Sequence, residues 1–455
     1  MFGEILQKFV EKSPVTVMVR GLLEHLLNAD KIDAWFDSVR QAQYTKDILF
    51  SSIVSLMLQV VCKIRTSVHS AYRHSDIEAS VVAVYDKLKG VETTTSQALV
   101  RQIASDSEAI IRNVNGANEP LLLGYRTKFL DGNCLEATEH RLKVLRDTRA
   151  GALPGKSLVV FDAQLGLAVD IFLCEDGHAQ ERALLAAVAA TIRPGELWIA
   201  DRNFCVTSFL FDIQRKQAFF VIRWHQNLPY KPLTELAYVG KSDTGQVFEQ
   251  RVQLTSPEGE TLTVRRVVIY LEKPTRNGDT MVMVLTNLSE AGADALTVSE
   301  LYRKRWGIET AFQKLESHLH SEINTLGYPK AALFGFCLAL VAFNLYAVVM
   351  AALRSAHRDH AINAEISEYY LAEEIATTYT GMSIAVPEAD WALFAQASHS
   401  ELSNILLNLA AKMDLSKFKK NKRGPKKPPT PRNQFKDQPH VSTAKLLAST
   451  STSTS

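Results

Sequence analysis

Four residues of the segment Leu301–Leu319, LYRKRWGIETAFQKLESHL, carry groups able to grip a phosphate or a cation: Tyr302, Arg305, Glu309 and Glu316. They are separated by steps of three, four and seven. At about 100° per residue, those steps return to nearly one stripe of a helix. Leu301, Ile308, Phe312, Leu315 and Leu319 also recur at helical spacing, and no proline interrupts them. The run predicts one helix with an apolar side, whose other wall presents a phenol, a guanidinium and two carboxylates. The competing reading is a solvated charged face, a common use of such a stripe.

Two aspartates lie elsewhere in positions that match this chemistry. YRTKFLDG at Tyr125–Gly132 predicts a strand of alternating character that ends in a turn at Asp131-Gly132. LWIA at Leu197–Ala200 predicts a short buried parallel strand that ends at Asp201. In α/β sheets, ligands collect at the carboxyl ends of strands. Neighbouring strands would bring Asp131 and Asp201 close, and two such carboxylates repel unless a cation neutralises them. Oxygen ligands suit Mg2+. Glu309, on a helix laid across the sheet, would complete the set. Two cations about 4 Å apart activate an attacking oxygen and stabilise a leaving oxygen of a phosphodiester. An aspartate after a strand is also a common turn or N-cap residue. Asp162 and Asp170 occupy comparable places, but Asp162 opens a hairpin turn and Asp170 lies mid-strand, so both rank lower.

Around this set stand further candidates. Trp306 could stack on an unpaired base or fill a core. Arg202 and Arg223 could contact phosphate or pair with local acids. His225 continues the strand that holds Arg223, and is read as packed or solvated. His318 and His320 form an HxH without a third ligand, which is weak support for a metal.

The elements that must position these groups follow from texture. Residues 1–120 read as helical, with apolar periodicity in Val17–Leu27, Lys46–Ile64, Asp76–Leu88 and Ala98–Val114, and could bind DNA ends or simply pack. Residues 121–226 read as strands at Tyr125–Asp131, Ser157–Phe161, Gly166–Cys174, Leu197–Ala200 and Ala218–Arg223, with helices at Ala179–Ile192 and Cys205–Lys216. Residues 227–292 read as a mostly β insertion, 293–354 as the rest of the core with the Glu309 helix, 355–414 as further helix, and 415–455 as a basic, low-complexity, disordered tail. The fold class is α/β, a mixed sheet flanked by helices.

With 455 residues, 46% of them hydrophobic, the chain can bury several cores. The net charge of +2 is unevenly spread: Lys417–Lys445 holds ten Lys/Arg against Asp437, which leaves 41 basic and 48 acidic residues elsewhere. Such a tail suits a polyanion or serves as a solubilising end. Cys62, Cys134, Cys174, Cys205 and Cys337 form no CxxC pair and read as buried thiols of a reducing compartment. No signal peptide opens the chain. Ala331–Leu353 is long enough to span a bilayer but contains Asn344 and lacks interfacial flanks, so it reads as a core helix.

FLDG with Asp131, WIADRNF with Asp201, FVIR at Phe220–Arg223 and YRKRWGIE at Tyr302–Glu309 together resemble the DDE transposases of bacterial insertion sequences. The similarity is greatest to the insertion-sequence-four group, with its Y-x2-R-x3-E-x6-K signature. It covers about Gly124–Arg354, and RGPKKP and HVSTAKLL in the tail are similar to that group's C-termini. The resemblance implies an RNase H-like fold with a β insertion before the glutamate helix. It implies Asp131, Asp201 and Glu309 as catalytic metal ligands, two Mg2+ ions replaceable by Mn2+, and Tyr302 and Arg305 facing DNA phosphates. The implied partners are terminal inverted repeats and target DNA, bound by a homodimer in a synaptic complex, with no membrane. The implied location is the bacterial cytoplasm, on the nucleoid when DNA is bound. One position departs: the signature lysine falls at Glu316, and Lys314 lies about 160° away around the helix. That departure favours an alternative, a catalytically impaired, transposase-derived DNA-binding protein.

Overall fold

The strand bearing Asp131 runs from Arg126 to Cys134 (β1) and sits in the interior of a ten-stranded sheet. The computed structural model describes residues 2–43, 47–275, 278–421 and 438–452. On one side β1 pairs antiparallel with Lys156–Asp162 (β2), which pairs antiparallel with Leu167–Cys174 (β3) at the sheet edge. On the other side β1 pairs in parallel with Glu196–Ala200 (β4), and β4 in parallel with Phe219–Arg223 (β5). All five residues of β4 are buried, as its unbroken apolar run predicts.

The segment read as a mostly β insertion extends this same sheet. It supplies Lys231–Pro232 (β6), Ala237–Ser242 (β7), Gly245–Thr255 (β8), Thr261–Leu271 (β9) and Met281–Thr286 (β10). The order is β3-β2-β1-β4-β5-β10-β9-β8-β6, with β7 also on β8. The long strands β8 and β9 alternate buried and exposed positions, so one face packs while the other is wet.

One face of the strands that carry Asp131 and Asp201 is covered by helices Leu185–Thr191 and Thr207–Arg215, whose Val188, Leu210 and Ile213 pack with Leu130, Val160 and Trp198. The opposite face receives Ala295–Lys304 (α1) and Trp306–His318 (α2), where Val298, Leu301 and Ile308 meet Phe129, Ile199 and Val221. Burying such aliphatic side chains contributes about 1.5–3 kcal/mol each before entropy is set against it. A third cluster joins helices Pro14–Leu26, Phe50–Val61, Thr93–Asn113 and His399–Ala411 around Pro329–Ala356 (α3). The N- and C-terminal helices thus share one apolar core.

Helix α3 is the only described helix long and apolar enough to cross a membrane. Its apolar stretch is 89% buried within the protein, so α3 is a core helix here, as its internal Asn344 suggested. Asn344 is wholly buried and answers both backbone groups of Ala168: Oδ1 accepts from its N–H and Nδ2 donates to its C=O, each at 2.9 Å.

Four expectations need correction. β1 does not stop at Asp131-Gly132: Gly132 pairs with Leu158 and the strand continues, because an available ladder partner overrides the turn signal. The predicted single helix over Leu301–Leu319 is broken at Arg305, where Arg305 N–H bonds to Tyr302 and Ile308 N–H to Arg305, both three residues back. Of the thiols, Cys134 is exposed and Cys174 half-buried. The tail is not wholly without structure: His440–Ser442 pairs in parallel with Gly151–Leu153, and helix Thr443–Thr452 follows, touching Lys143–Leu145. The RGPKKP run and Lys46 lie outside the described residues.

Candidate active site

Leu130 and Ala200 are register partners on the parallel strands β1 and β4. Asp131 and Asp201 follow them directly, so the two carboxylates leave adjacent strands at one edge. Ala200 is the last residue of β4, and Asp201 caps the short 3-10 turn Arg202–Phe204, where its carbonyl accepts from the Phe204 N–H.

The broken helix crosses this edge. Tyr302 and Arg305, 9% and 7% exposed, point inward at the break, whereas Trp306 is 59% exposed. The Tyr302 hydroxyl donates to Asp201 Oδ1 at 3.3 Å. Arg305 Nη1 donates to Asp131 Oδ2 at 3.3 Å, and its Nη2 donates to Glu309 Oε1 at 2.7 Å. One phenol and one guanidinium therefore link all three predicted acids. Tyr302 and Arg305 hold carboxylates here rather than facing away from the sheet.

The electrostatics follow from one cation set among three acids. Burial pushes the Asp131 carboxyl up to about 6, and Glu309 and Asp201 add to the rise. Arg305 and the Gly132 N–H pull the other way without cancelling it. Asp131 stays raised despite its ion pair because burial outweighs the guanidinium, with the two neighbouring acids adding a smaller push. Burial, then Asp201, pushes the Tyr302 phenol up to about 12, so it remains a proton donor at neutral pH. Burial works against the Arg305 charge, yet Tyr302, Asp131, Asp201 and Glu309 together hold its pKa above the ordinary value.

Carboxylate oxygens are the donors a hard divalent cation takes. The chemistry of Asp131, Asp201 and Glu309 suits such an ion. In the present arrangement, no group of three or more His, Cys, Asp or Glu among the described residues is spaced to hold a metal, and Arg305 stands between Asp131 and Glu309.

Arg202 and Arg223 lie beside this centre rather than in it. With Trp224, His225 and Asp279 they line a cavity of about 420 Å³. Arg223 pairs with Asp279 at 2.9 Å. His225 Nδ1 accepts from the Asn227 N–H and so closes a turn. His318 packs edge-on against Tyr369, and His320 bonds through its backbone to Val61; among the described residues no third ligand joins them. Glu316 is exposed in a groove of about 480 Å³ that Lys63, Asn133, Glu136 and Glu322 also line. Lys314 is committed to Glu368 at 2.5 Å. Asp162 and Asp170 have structural partners: Asp162 pairs with Arg126 and accepts from the Gln164 and Leu165 N–H groups, and Asp170 pairs with Arg101.

Sequence reasoning passed over Glu181 and Asn203. Glu181 opens the 3-10 turn before helix Leu185–Thr191 and stands against Gly132. Asn203 Nδ2 donates to its Oε2 at 2.5 Å. No period or motif links these positions; only Gly132, next to Asp131, hints at a space kept open.

Residues 124–345, just under half of the chain, match the family model described as Transposase DDE domain. The span includes Asp131, Asp201, Tyr302, Arg305 and Glu309. Among solved structures, the chain is similar to the piggyBac transposase synaptic complex with hairpin DNA, determined by cryo-EM. That similarity has 9% identity and a TM-score of 0.38 over 84% of this chain and 82% of that chain. No curated protein matches the sequence.

Proposed function

We propose that this protein is a Mg2+-dependent DDE transposase of the insertion-sequence-four group, which hydrolyses a phosphodiester at the ends of a mobile DNA element and joins the freed 3′-hydroxyl to a second strand or a target. The observation that carries this reading is the convergence of Asp131 and Asp201 on adjacent parallel strands, with Glu309 tied to Asp131 through Arg305. Asp131, Asp201 and Glu309 would hold the divalent ions. Bound there, the ions would supply activation of the attacking oxygen and charge stabilisation at the leaving oxygen.

The chain's own groups do the rest. Arg305 keeps its charge at every working pH, and once it turns from the carboxylates it offers a forked donor for a phosphate. Tyr302 retains its proton and orients Asp201. Arg202 and Arg223 bring two cations to the cavity beside the centre, and Trp306 offers an exposed ring for base stacking. The basic run from Lys417 adds affinity that weakens with salt. Glu316 removes the signature cation, but the Lys63 amine, bonded to the Ser317 carbonyl at 2.7 Å, lines the same groove and supports a cationic role there. The working form is a homodimer on two element ends in the bacterial cytoplasm.

The test is cleavage of the DNA that flanks the gene, with and without Mg2+. Asp131→Asn, Asp201→Asn and Glu309→Gln are each expected to abolish cleavage and to leave end binding intact. Undiminished cutting by any of them sinks the assignment. The second reading, a DNA-binding derivative without cleavage, is favoured by Glu316; it predicts end binding by the parent and no Mg2+-dependent product.

A further inference from the structure

We infer that Glu181 is a positioning residue for the acidic centre: through Asn203 it holds the turn that follows Asp201 against the backbone of β1 beside Asp131. The inference rests on the reading of Asp131 and Asp201 given above, and adds a residue to it that lies on neither strand.

The first observation is at Gly132. A Cβ placed there would stand 2.3 Å from Glu181 Oε1 and 2.9 Å from Oε2. Gly132 is absent from the residues with positive φ, so its backbone conformation is open to alanine. What position 132 excludes is a side chain that would push the Glu181 carboxylate away. The glycine keeps that carboxylate in contact with the strand, next to Asp131.

The second observation is at the other strand. Asn203 lies two residues beyond Asp201, inside the turn that Asp201 caps. Glu181 accepts from its side-chain amide at 2.5 Å, and Arg182 Nε donates to its carbonyl at 2.8 Å. Two successive side chains of one short turn thus grip both ends of Asn203. Phe204, buried in the core beneath, anchors the far end of this turn, and the Glu181–Asn203 bond sets its orientation at the Asp201 end. The Asp201 carboxylate is aimed by that turn. The pair Glu181–Asn203 therefore sets its position relative to Asp131, as residues behind metal-binding carboxylates commonly do.

A purely structural role is separable from this one. Glu181 ends in a flexible chain, so alanine at 132 would displace it at small cost to stability while breaking its bond to Asn203. The experiment uses the full-length protein, with Mn2+ alone as the probe and with cleavage of the flanking DNA as a second readout. Gly132→Ala and Glu181→Ala are each expected to raise the Mn2+ concentration for half-maximal thermal stabilisation about tenfold. Their metal-free melting temperatures should stay near that of the parent. Glu181→Gln, which keeps an oxygen for the Asn203 amide, should retain most of the parent's response. The double variant should match Glu181→Ala rather than multiply the two losses, since both act through one contact. A parent-like Glu181→Ala, or multiplied losses in the double variant, overturns the inference. Asp131→Asn distinguishes the two failures: if it keeps the full Mn2+ response, or if the parent has none, the site reading itself falls.

Discussion

Arg305 and Glu309 meet across one helical turn, the guanidinium Nη2 donating to the carboxylate Oε1 at 2.7 Å. The same guanidinium reaches Asp131, so a single cation balances two acids near the one break in an otherwise regular helix. Arg305→Ala leaves Asp131 buried with no cation. In metal-free buffer it should cost about 2 kcal/mol, below the range for a fully buried pair because Glu309 is half-exposed. Saturating Mg2+ should narrow the gap, since a bound ion neutralises the same acids. Urea unfolding with and without Mg2+ measures both quantities, and a gap that metal leaves unchanged counts against a shared site.

Asn344 fixes edge strand β3 to the central helix. Its amide satisfies both backbone groups of Ala168 beside the bulge in the β2–β3 ladder. Asn344→Leu removes both bonds and leaves two polar groups without partners in an apolar core. The expected loss is about 2–4 kcal/mol. A denaturation midpoint equal to the parent's would mean that water enters to replace the amide.

Glu322 predicts a pH dependence. Burial pushes its carboxyl up to about 7 from 4.5, with Glu136 and Glu316 adding to the rise, while the Glu136 N–H and Asn133 lower it. Between those values the folded protein keeps a proton that the unfolded chain has released. Its contribution is therefore complete below pH 4.5 and falls as pH rises toward 7. The drop is on the order of 3 kcal/mol. Glu322→Gln should flatten stability across that window, and a profile as steep as the parent's would assign the dependence elsewhere.

Asp162 separates a structural acid from the proposed catalytic ones. It is wholly buried, pairs with Arg126 and closes the β2–β3 turn through two backbone N–H groups. Asp162→Asn should lower stability by about 2 kcal/mol. Cleavage per folded molecule should not change, whereas Asp131→Asn should remove cleavage while leaving the fold intact. Active-site titration against circular dichroism distinguishes the two.

Much of this was legible in the chain. The all-apolar LWIA, short and closed off by a turn, read as a covered strand, and Asp201 at its end was readable for that reason. The 3-4-7 spacing placed Tyr302, Arg305 and Glu309 on one wall before any contact was known. What stayed hidden depended on partners far away in sequence. The break at Arg305 has no proline to announce it and accompanies the pull of its guanidinium toward Asp131. The Asp131-Gly132 pair carried a turn signal that Leu158 overrode by offering a ladder partner. Glu181 meets Gly132 and Asn203 only once three segments have folded together. His440–Ser442 is too short and polar to read as a strand without Gly151–Leu153 beside it.

Strand β5 bonds to β4 along one side and to β10 along the other. The appended strands are therefore joined to the acid-bearing sheet by a shared backbone ladder, without a hinge. The ladder from β8 and β9 runs through β10 and β5 to β4, so any displacement of that wing meets continuous backbone bonding on its way to the strand that ends before Asp201.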